Sequence, residues 1–306
     1  MTTKALLVGI NDYAPVGPGG PDLRGCVNDV QDMLNTLMVL GLVRPPFRPF
    51  LRLHTNAAAT RTNILRSVEW LIAGAKAEDH LIFYYSGHGS QLPNQPGSDA
   101  EPDAKDETLV PHDFATAGMI RDDDLQNLFR TVPRGVNLEV ISDSCHSGTV
   151  TRALGEREMP DGVGDVPAVV NGTTVRYIDP PYDEGFLLEA YPHLPTRTAG
   201  APLKTSAGAK ELVPSALNHV LWGACKSGQT AGERLIEGRY RGVFTYWFCK
   251  VVRRAGVGAL RHFIDAQVTR EVQRYNQTPQ LEGVLTAFRK PVFGATREVF
   301  EAAMVR

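Results

Sequence analysis

Short apolar runs alternate along the chain with segments of helical periodicity. The runs are bounded by Gly, Pro or polar residues, as is typical of strands buried on both faces of a sheet, and lie at residues 4–10, 50–53, 80–85, 138–142 and 219–225. Helical spacing of apolar positions predicts helices at residues 27–38, 61–73, 122–130, 243–252 and 260–275. This alternation favours an α/β sandwich of three layers, with a mostly parallel central sheet and helices on both faces.

Residues 150–214 break this rhythm. They are rich in Pro and Gly and poor in apolar runs, which predicts an irregular surface insertion. We therefore expect residues 1–149 and 215–306 to be two blocks that build one sheet around the insertion. Residues 289–293 are predicted to form an edge strand of that sheet, where a proline is tolerated.

Composition narrows the class of protein. The charges nearly balance, with 32 Lys and Arg against 34 Asp and Glu, which argues against a nucleic-acid binder. We find neither an export signal nor an apolar run of about 18 residues, so we expect a cytoplasmic protein that does not enter membranes. The four cysteines are too dispersed for a zinc site or a disulfide framework. We expect a monomer that requires no cofactor.

Two predicted strands end in residues capable of nucleophilic catalysis. His88 follows the third strand and Cys145 the fourth, and ligands of open parallel sheets bind beyond the carboxyl ends of the strands. A cysteine nucleophile needs a nearby imidazole to take its proton. The backbone amides of Gly89 and Cys145 are suited to an oxyanion hole. The alternative is a loop histidine and a packed core thiol.

The residues around this pair resemble those of metacaspases, which are caspase-like cysteine peptidases. The resemblance rests on Tyr-Ser-Gly-His88-Gly and Asp143-Ser-Cys145-His-Ser-Gly, and it extends to residues 6–11, 23–29, 106–111, 122–125, 224–230 and 277–280. It implies a caspase-like fold with a large-subunit-like block (residues 1–149) and a small-subunit-like block (residues 215–306). It also implies that Cys145 is the nucleophile and His88 the general base.

The resemblance implies a preference for basic substrate residues. Asp143 lies two positions before Cys145, so strand alternation puts both side chains on the same side. Metacaspases take a second carboxylate from the segment that ends here at Asp29. Two carboxylates match a guanidinium, which implies cleavage of protein or peptide substrates after Arg or Lys. The alternatives are a first-turn helix acid for Asp29 and a structural hydrogen-bonding acid for Asp143.

Many metacaspases bind an activating Ca²⁺, and the resemblance points to Asp103, Asp122 and Asp123 as the oxygen ligands. A further ligand of the family falls near Arg152, whose positive charge opposes Ca²⁺ binding. We therefore expect weak calcium dependence or none. A solvated acidic loop and helix start would explain the same residues.

The leading hypothesis is a metacaspase-like cysteine endopeptidase that also cuts its own insertion. Arg197, Lys204 and Lys210 are the favoured cut sites, and Arg176 ranks lower because a short strand is expected to protect it. The alternative is a non-catalytic caspase-like module that serves as a scaffold or binds a partner. A nucleotide-binding domain is set aside, because no glycine-rich phosphate loop follows the first strand.

Overall fold

The computed structural model describes residues 1–14, 21–93, 105–145, 169–170, 172–178, 219–226 and 229–304. In chain order the strands are β1 Thr3–Gly9, β2 Leu51–Thr55, β3 His80–Ser86, β4 Gly89–Pro93, β5 Lys105–Leu109, β6 Ile120–Arg121, β7 Asn137–Asp143, β8 Val169–Val170, β9 Thr173–Val175, β10 Val220–Gly223, β11 Gly232–Ile236, β12 Arg239–Gly242 and β13 Gln280–Glu282. The α-helices are α1 Cys26–Val39, α2 Arg61–Ile72, α3 Phe114–Ala117, α4 Asp122–Phe129, α5 Val243–Ala255, α6 Arg261–Val272, α7 Leu285–Phe288 and α8 Arg297–Met304.

The central sheet has six strands in the order β13-β10-β7-β3-β1-β2. Its neighbours are parallel except β13, which is antiparallel to β10 at the edge. The apolar runs predicted as strands supply the other five members. The mostly parallel sheet is therefore confirmed, and β10 and β13, which come from the chain beyond residue 215, lie in the same sheet as β1 to β3.

Alternate side chains of the strands pack against helices on opposite faces. Leu7 and Ile82 belong to one apolar core with residues of α1, α5 and α6, whereas Leu6 and Phe83 belong to a second core with residues of α2 and α4. Strand alternation accounts for this division, because successive side chains point to opposite faces. The predicted three-layer sandwich is confirmed.

The predicted edge strand at residues 289–293 is wrong. Residues Val292–Gly294 form a 3₁₀ turn in which Phe293 has a φ of 56°, and the amide of Phe293 donates to the carboxylate of Glu139 at 2.6 Å. This amide is therefore not available to a strand ladder. The edge is formed instead by β13, whose three residues pair with β10.

Two small sheets at the carboxyl end of the central sheet were not predicted from the pattern. One is built from β4, β5 and β6, and the other from β8, β9, β11 and β12. β8 and β9 lie inside the segment expected to be irregular. β8 pairs with β9, and β9 pairs with β11, which is a contact between distant parts of the chain that local hydrophobic periodicity does not indicate.

Among the described residues, no helix combines the length and the apolar character needed to cross a membrane.

Candidate active site

The two residues predicted as a catalytic pair follow neighbouring strands at the same edge of the sheet. β3 and β7 are parallel, and their last residues, Ser86 and Asp143, are partners in the register. His88 and Cys145 each come two residues later and both are buried. The parallel register, rather than nearness in sequence, places both residues at the carboxyl end of the sheet, as the alternation of elements predicts.

His88 is held by two groups from the loop before α1. Its backbone amide donates to the hydroxyl of Tyr13 at 2.7 Å, and its Nε2 lies 2.5 Å from the carbonyl oxygen of Pro21. Since a carbonyl oxygen only accepts, Nε2 carries the hydrogen and Nδ1 is left with the lone pair that a base requires. Burial, reinforced by the nearby Arg176 guanidinium, lowers the pKa of His88 to about 4, which keeps the imidazole neutral at physiological pH.

Cys145 lies beneath other parts of the chain and beside a second thiol. Its Sγ donates to the carbonyl oxygen of Gln229 at 3.3 Å, and the Sγ of Cys225 donates to the same oxygen at 3.4 Å. The hydrogen bond with Cys145, together with burial, raises the pKa of Cys225. Cys26, expected to be a packed thiol, is fully buried, and burial raises its pKa as well.

An acidic pocket lies beside this pair. We use this name for the carboxylates of Asp29, Asp143 and Glu233 together with the hydroxyl of Ser86, all of which are buried. Ser86 donates to Asp29 at 2.8 Å, and the amide of Gly242 donates to both Asp29 oxygens at 2.9 and 3.1 Å. The structure thus brings Asp29 and Asp143, which were predicted to bind a basic substrate residue, into one pocket.

The guanidinium of Arg176 fills the acidic pocket and is completely buried. Its Nη2 lies 2.6 Å from Asp29 Oδ2 and 3.4 Å from Glu233 Oε2. Its Nη1 lies 3.2 Å from Asp143 Oδ2 and donates to Ser86 Oγ at 2.9 Å. A side chain of the chain itself therefore occupies the pocket predicted for a basic substrate residue.

The backbone of Arg176 is held in the same site. Its carbonyl oxygen accepts hydrogen bonds from the amides of Gly89 at 3.0 Å and Cys145 at 3.2 Å, the two amides predicted to form the oxyanion hole. Its own amide donates to the carbonyl of Ala231 at 3.0 Å. On the far side, the amide of Ile178 donates to the carbonyl of Gly89 at 3.2 Å, so the segment runs across the site in an extended form.

Three carboxylates around one guanidinium leave an excess of negative charge. Burial, together with the charge of Asp143, raises the pKa of Asp29 to about 7 against the opposing effect of Arg176. For Arg176 itself, burial lowers the pKa, but the surrounding carboxylates outweigh it and the pKa is raised. The pocket therefore binds a cation strongly and carries one carboxyl group that titrates near neutrality.

The residues expected to hold Ca²⁺ are only partly described. Asp122 and Asp123 begin α4, and burial raises the pKa of Asp122 to about 7. Asp103 and Arg152 lie outside the described residues. Within the described ranges, no three His, Cys, Asp or Glu side chains come together in a way that would hold a metal ion. The calcium site stays a prediction.

Several residues of the site were not found from the sequence. Tyr13 and Pro21 form hydrogen bonds with His88. Glu233 and Ser86 line the acidic pocket, and the amide of Gly242 donates to Asp29. Ser86 alone carried a usable signal, because strand alternation places it on the same side as His88. The favoured self-cleavage sites Arg197, Lys204 and Lys210 lie outside the described residues.

Comparison with known proteins identifies the family of the chain. The family model described as "Metacaspase, peptidase C14 domain" matches residues 3–153. A metacaspase-1 of Mycosarcoma maydis is 31% identical over 291 residues, which are 91% of this chain and 69% of that protein. The chain belongs to the metacaspase family. It is thus a caspase-like cysteine peptidase by family.

Further relatives show the same range of similarity. A metacaspase-1 of Coccidioides immitis is 30% identical over 91% of this chain and 60% of its own length, and a metacaspase-1A of Aspergillus fumigatus is 31% identical over 91% and 68%. The crystal structure of protein GSU0716 from Geobacter sulfurreducens covers 97% of this metacaspase and all of that chain, with a TM-score of 0.63 and 22% identity. This last likeness supports the fold alone.

Proposed function

We propose that this metacaspase is a cysteine endopeptidase that cuts after Arg or Lys. The observation that carries the proposal is the seating of Arg176, whose guanidinium lies among three carboxylates while its carbonyl oxygen accepts from the amides of Gly89 and Cys145. A peptide bound in this way presents the bond after its basic residue to the nucleophile. The pocket selects the positive charge, and the two amides select the carbonyl.

The mechanism assigns one role to each group. Nδ1 of His88 takes the proton of Cys145, and the thiolate attacks the carbonyl carbon of the basic residue. The amides of Gly89 and Cys145 stabilise the negative charge that develops on the carbonyl oxygen. The imidazolium then protonates the leaving amine, and water attacks the thioester with His88 as base, which restores the thiol. The Pro21 carbonyl keeps Nε2 protonated, so Nδ1 is the atom that accepts each proton and donates it again.

The two small sheets guide an extended substrate into this position. β9, which leads into Arg176, pairs antiparallel with β11, and Tyr177 lies beside Gly89 at the start of β4. A substrate that replaces this segment gains the same backbone hydrogen bonds on both sides of the cut. Main-chain pairing of this kind supplies affinity, and the acidic pocket supplies specificity.

Peptides that differ only in the residue before the cut test the proposal. Fluorogenic peptides ending in Arg, Lys or Asp are incubated with the wild type, with Cys145→Ala and with Asp29→Asn. We expect cleavage of the Arg and Lys peptides alone, its complete loss in Cys145→Ala, and a strong reduction in Asp29→Asn. Equal cleavage of the Asp and Arg peptides contradicts the assignment of the pocket.

The non-catalytic module is distinguished by thiol labelling. Once the segment that carries Arg176 has left the cleft, iodoacetamide should react first at Cys145. Cys26 and Cys249 stay fully buried, and burial raises the pKa of Cys249 to about 12. The hydrogen bond with Cys145 and burial raise the pKa of Cys225, which lowers its thiolate fraction. Uniform slow labelling of all four cysteines, read by mass spectrometry, supports the module instead.

The same geometry names a bond for self-processing. The Arg176–Tyr177 peptide carries the carbonyl that faces the predicted oxyanion amides, so it is the bond that the chain presents to its own nucleophile. The sequence predicts that Arg176 is a poorer self-cleavage site than Arg197, Lys204 and Lys210, because a short strand is expected to protect it. The strand β9 is present, but it leads Arg176 into the cleft rather than away from it. We therefore place the first self-cleavage after Arg176.

Mass spectrometry of the purified chain tests this placement. We expect wild type to yield a fragment ending at Arg176, and Cys145→Ala and Arg176→Ala to yield none. Arg197→Ala serves as the matched control and should be cut after Arg176 at the wild-type rate. Because the bond already lies in its own cleft, the half-time should not change on dilution. A first cut elsewhere, or a half-time that lengthens on dilution, contradicts the placement.

A further inference from the structure

Glu233 contributes a third carboxylate to the acidic pocket from β11. Its side chain is fully buried. Its Oε1 accepts from the amide of Arg24 and its Oε2 from the amide of Gly25, both at 2.8 Å. These two bonds fix the orientation of the carboxylate, and Oε2 lies 3.4 Å from Nη2 of Arg176. The pocket therefore holds this carboxylate in place toward one particular nitrogen of the guanidinium.

The pocket divides its acceptors between the two terminal nitrogens. Nη1 faces Ser86 and Asp143, while Nη2 faces Asp29 and Glu233. A lysine offers a single nitrogen, which by bond count stands where the guanidinium carbon of an arginine stands, one bond short of Nη2. A point charge at that place lacks the fork that serves both sets of acceptors. The contact of Glu233 with Nη2 is already the longest of these, so Glu233 is the acceptor that a lysine nitrogen approaches least closely.

We propose that Glu233 is a specificity-determining residue that makes the acidic pocket prefer Arg over Lys. This inference rests on the proposed peptidase function and refines its substrate class. Arginine satisfies the Glu233 carboxylate through Nη2, whereas lysine leaves it buried with only its two backbone bonds. A buried carboxylate that gains no cation contributes nothing to binding, so lysine gains less from the pocket than arginine does.

The test compares the ratio of kcat/KM for two fluorogenic peptides that differ only in Arg or Lys before the cut, measured on fully self-processed enzyme. Wild type should favour Arg. Glu233→Gln should lower kcat/KM for the Arg peptide about tenfold, as expected for loss of a hydrogen bond to a charged group. It should change kcat/KM for the Lys peptide little. Glu237→Gln is the matched control, since it removes a carboxylate at the exposed tip of the same hairpin and should leave the ratio unchanged.

The ratio separates specificity from a structural role. If Glu233 only anchors the loop of Arg24 and Gly25, its substitution lowers kcat/KM for both peptides equally, which overturns the proposal. A wild type that cuts the Lys peptide as well as the Arg peptide overturns it too. Should Glu233→Gln fail to fold, Glu233→Asp keeps the charge but shortens its reach, and the same fall in the ratio is expected. Absence of any Cys145-dependent cleavage by wild type refutes the peptidase function itself, and this inference with it.

Discussion

Gly242 brings the wall of the acidic pocket close to the guanidinium of Arg176. Its backbone conformation is open to any residue, with φ −60° and ψ 130°, but a Cβ there would stand 2.6 Å from Nη1 of Arg176 and 2.9 Å from Asp29 Oδ2. Gly242→Ala should therefore obstruct the guanidinium and lower kcat/KM for an Arg peptide about 10- to 100-fold, the range expected for overpacking.

Gly223→Ala is the control for that substitution. Its Cβ would meet its nearest neighbours at 3.8 and 3.9 Å, which is ordinary contact, so activity should be retained. Circular dichroism of both variants checks that the fold is intact. A Gly242→Ala enzyme with wild-type kcat/KM would show that the acidic pocket does not receive the basic residue.

The titration of Asp29 predicts how activity depends on pH. Burial raises its pKa to about 7, so the group is neutral below that pH and charged above it. We expect kcat/KM for Arg peptides to fall as pH drops through about 7, whereas the His88 limb lies lower because burial brings that pKa to about 4. Since the raised pKa belongs to the folded chain, the same ionisation lowers the free energy of unfolding as pH rises from 3.8 toward 7.

A pH series of kcat/KM for wild type and Asp29→Asn checks this assignment. The variant should have low activity that no longer changes near pH 7, because the titrating carboxyl group is gone. The charged groups facing Asp29 are Arg176, Asp143 and Glu233, and all of them remain in the variant. A limb near pH 7 that persists in Asp29→Asn would belong to another group.

At the scale of elements, a buried ion pair joins α6 to the central sheet. Arg261 of α6 donates to both carboxylate oxygens of Glu139 on β7 at 3.0 Å, and neither side chain is exposed. Trp222 of β10 and the amide of Phe293 also donate to this carboxylate. Arg261→Met should cost about 3–5 kcal/mol of the free energy of unfolding, because it leaves a buried charge without its cation.

Urea unfolding measures this cost. The double variant Glu139→Gln with Arg261→Met should recover part of it, since the buried charge is then removed as well. Arg297→Met breaks an exposed ion pair with Glu301 and should cost less than about 1 kcal/mol. An Arg261→Met variant no less stable than that control would show that the pair contributes nothing to holding α6.

At the scale of the whole molecule, the two products of a cut after Arg176 should stay together. β7 lies in the first product and β10 in the second, and they pair in the centre of the sheet. α1 and α5, which also fall on opposite sides of the cut, belong to one apolar core. Burial of this core does not depend on the continuity of residues 176 and 177.

Size-exclusion chromatography of the processed chain should give one peak at the position of the uncut Cys145→Ala variant, and two fragments only after denaturation. Two separate peaks under native conditions would mean that the interface between the products does not hold them without the peptide link.

The sequence by itself determined the elements whose signal is local. The apolar runs of β1, β3 and β7 and the helical spacing of α1, α2, α4 and α5 follow from burial of neighbouring side chains along one segment. His88 and Cys145 each follow the end of a predicted parallel strand, and this was enough to predict a catalytic pair at one edge of the sheet. Asp143 followed from alternation along the same strand, while Asp29 came from the family resemblance.

Only the tertiary structure decided what fills the site. The Pro21 carbonyl that orients His88 is a backbone group, and every residue type has such a group, so the sequence does not indicate which carbonyl will accept from His88. Arg176 meets Asp29 across 147 positions and Glu233 across 57, and this meeting depends on β9 pairing with β11. The false edge strand at residues 289–293 has the same origin, because the amide of Phe293 is taken by the carboxylate of Glu139, 154 positions away. Hydrophobic periodicity shows which face of a segment is buried. It does not show which distant polar group will form hydrogen bonds with the buried backbone of that segment.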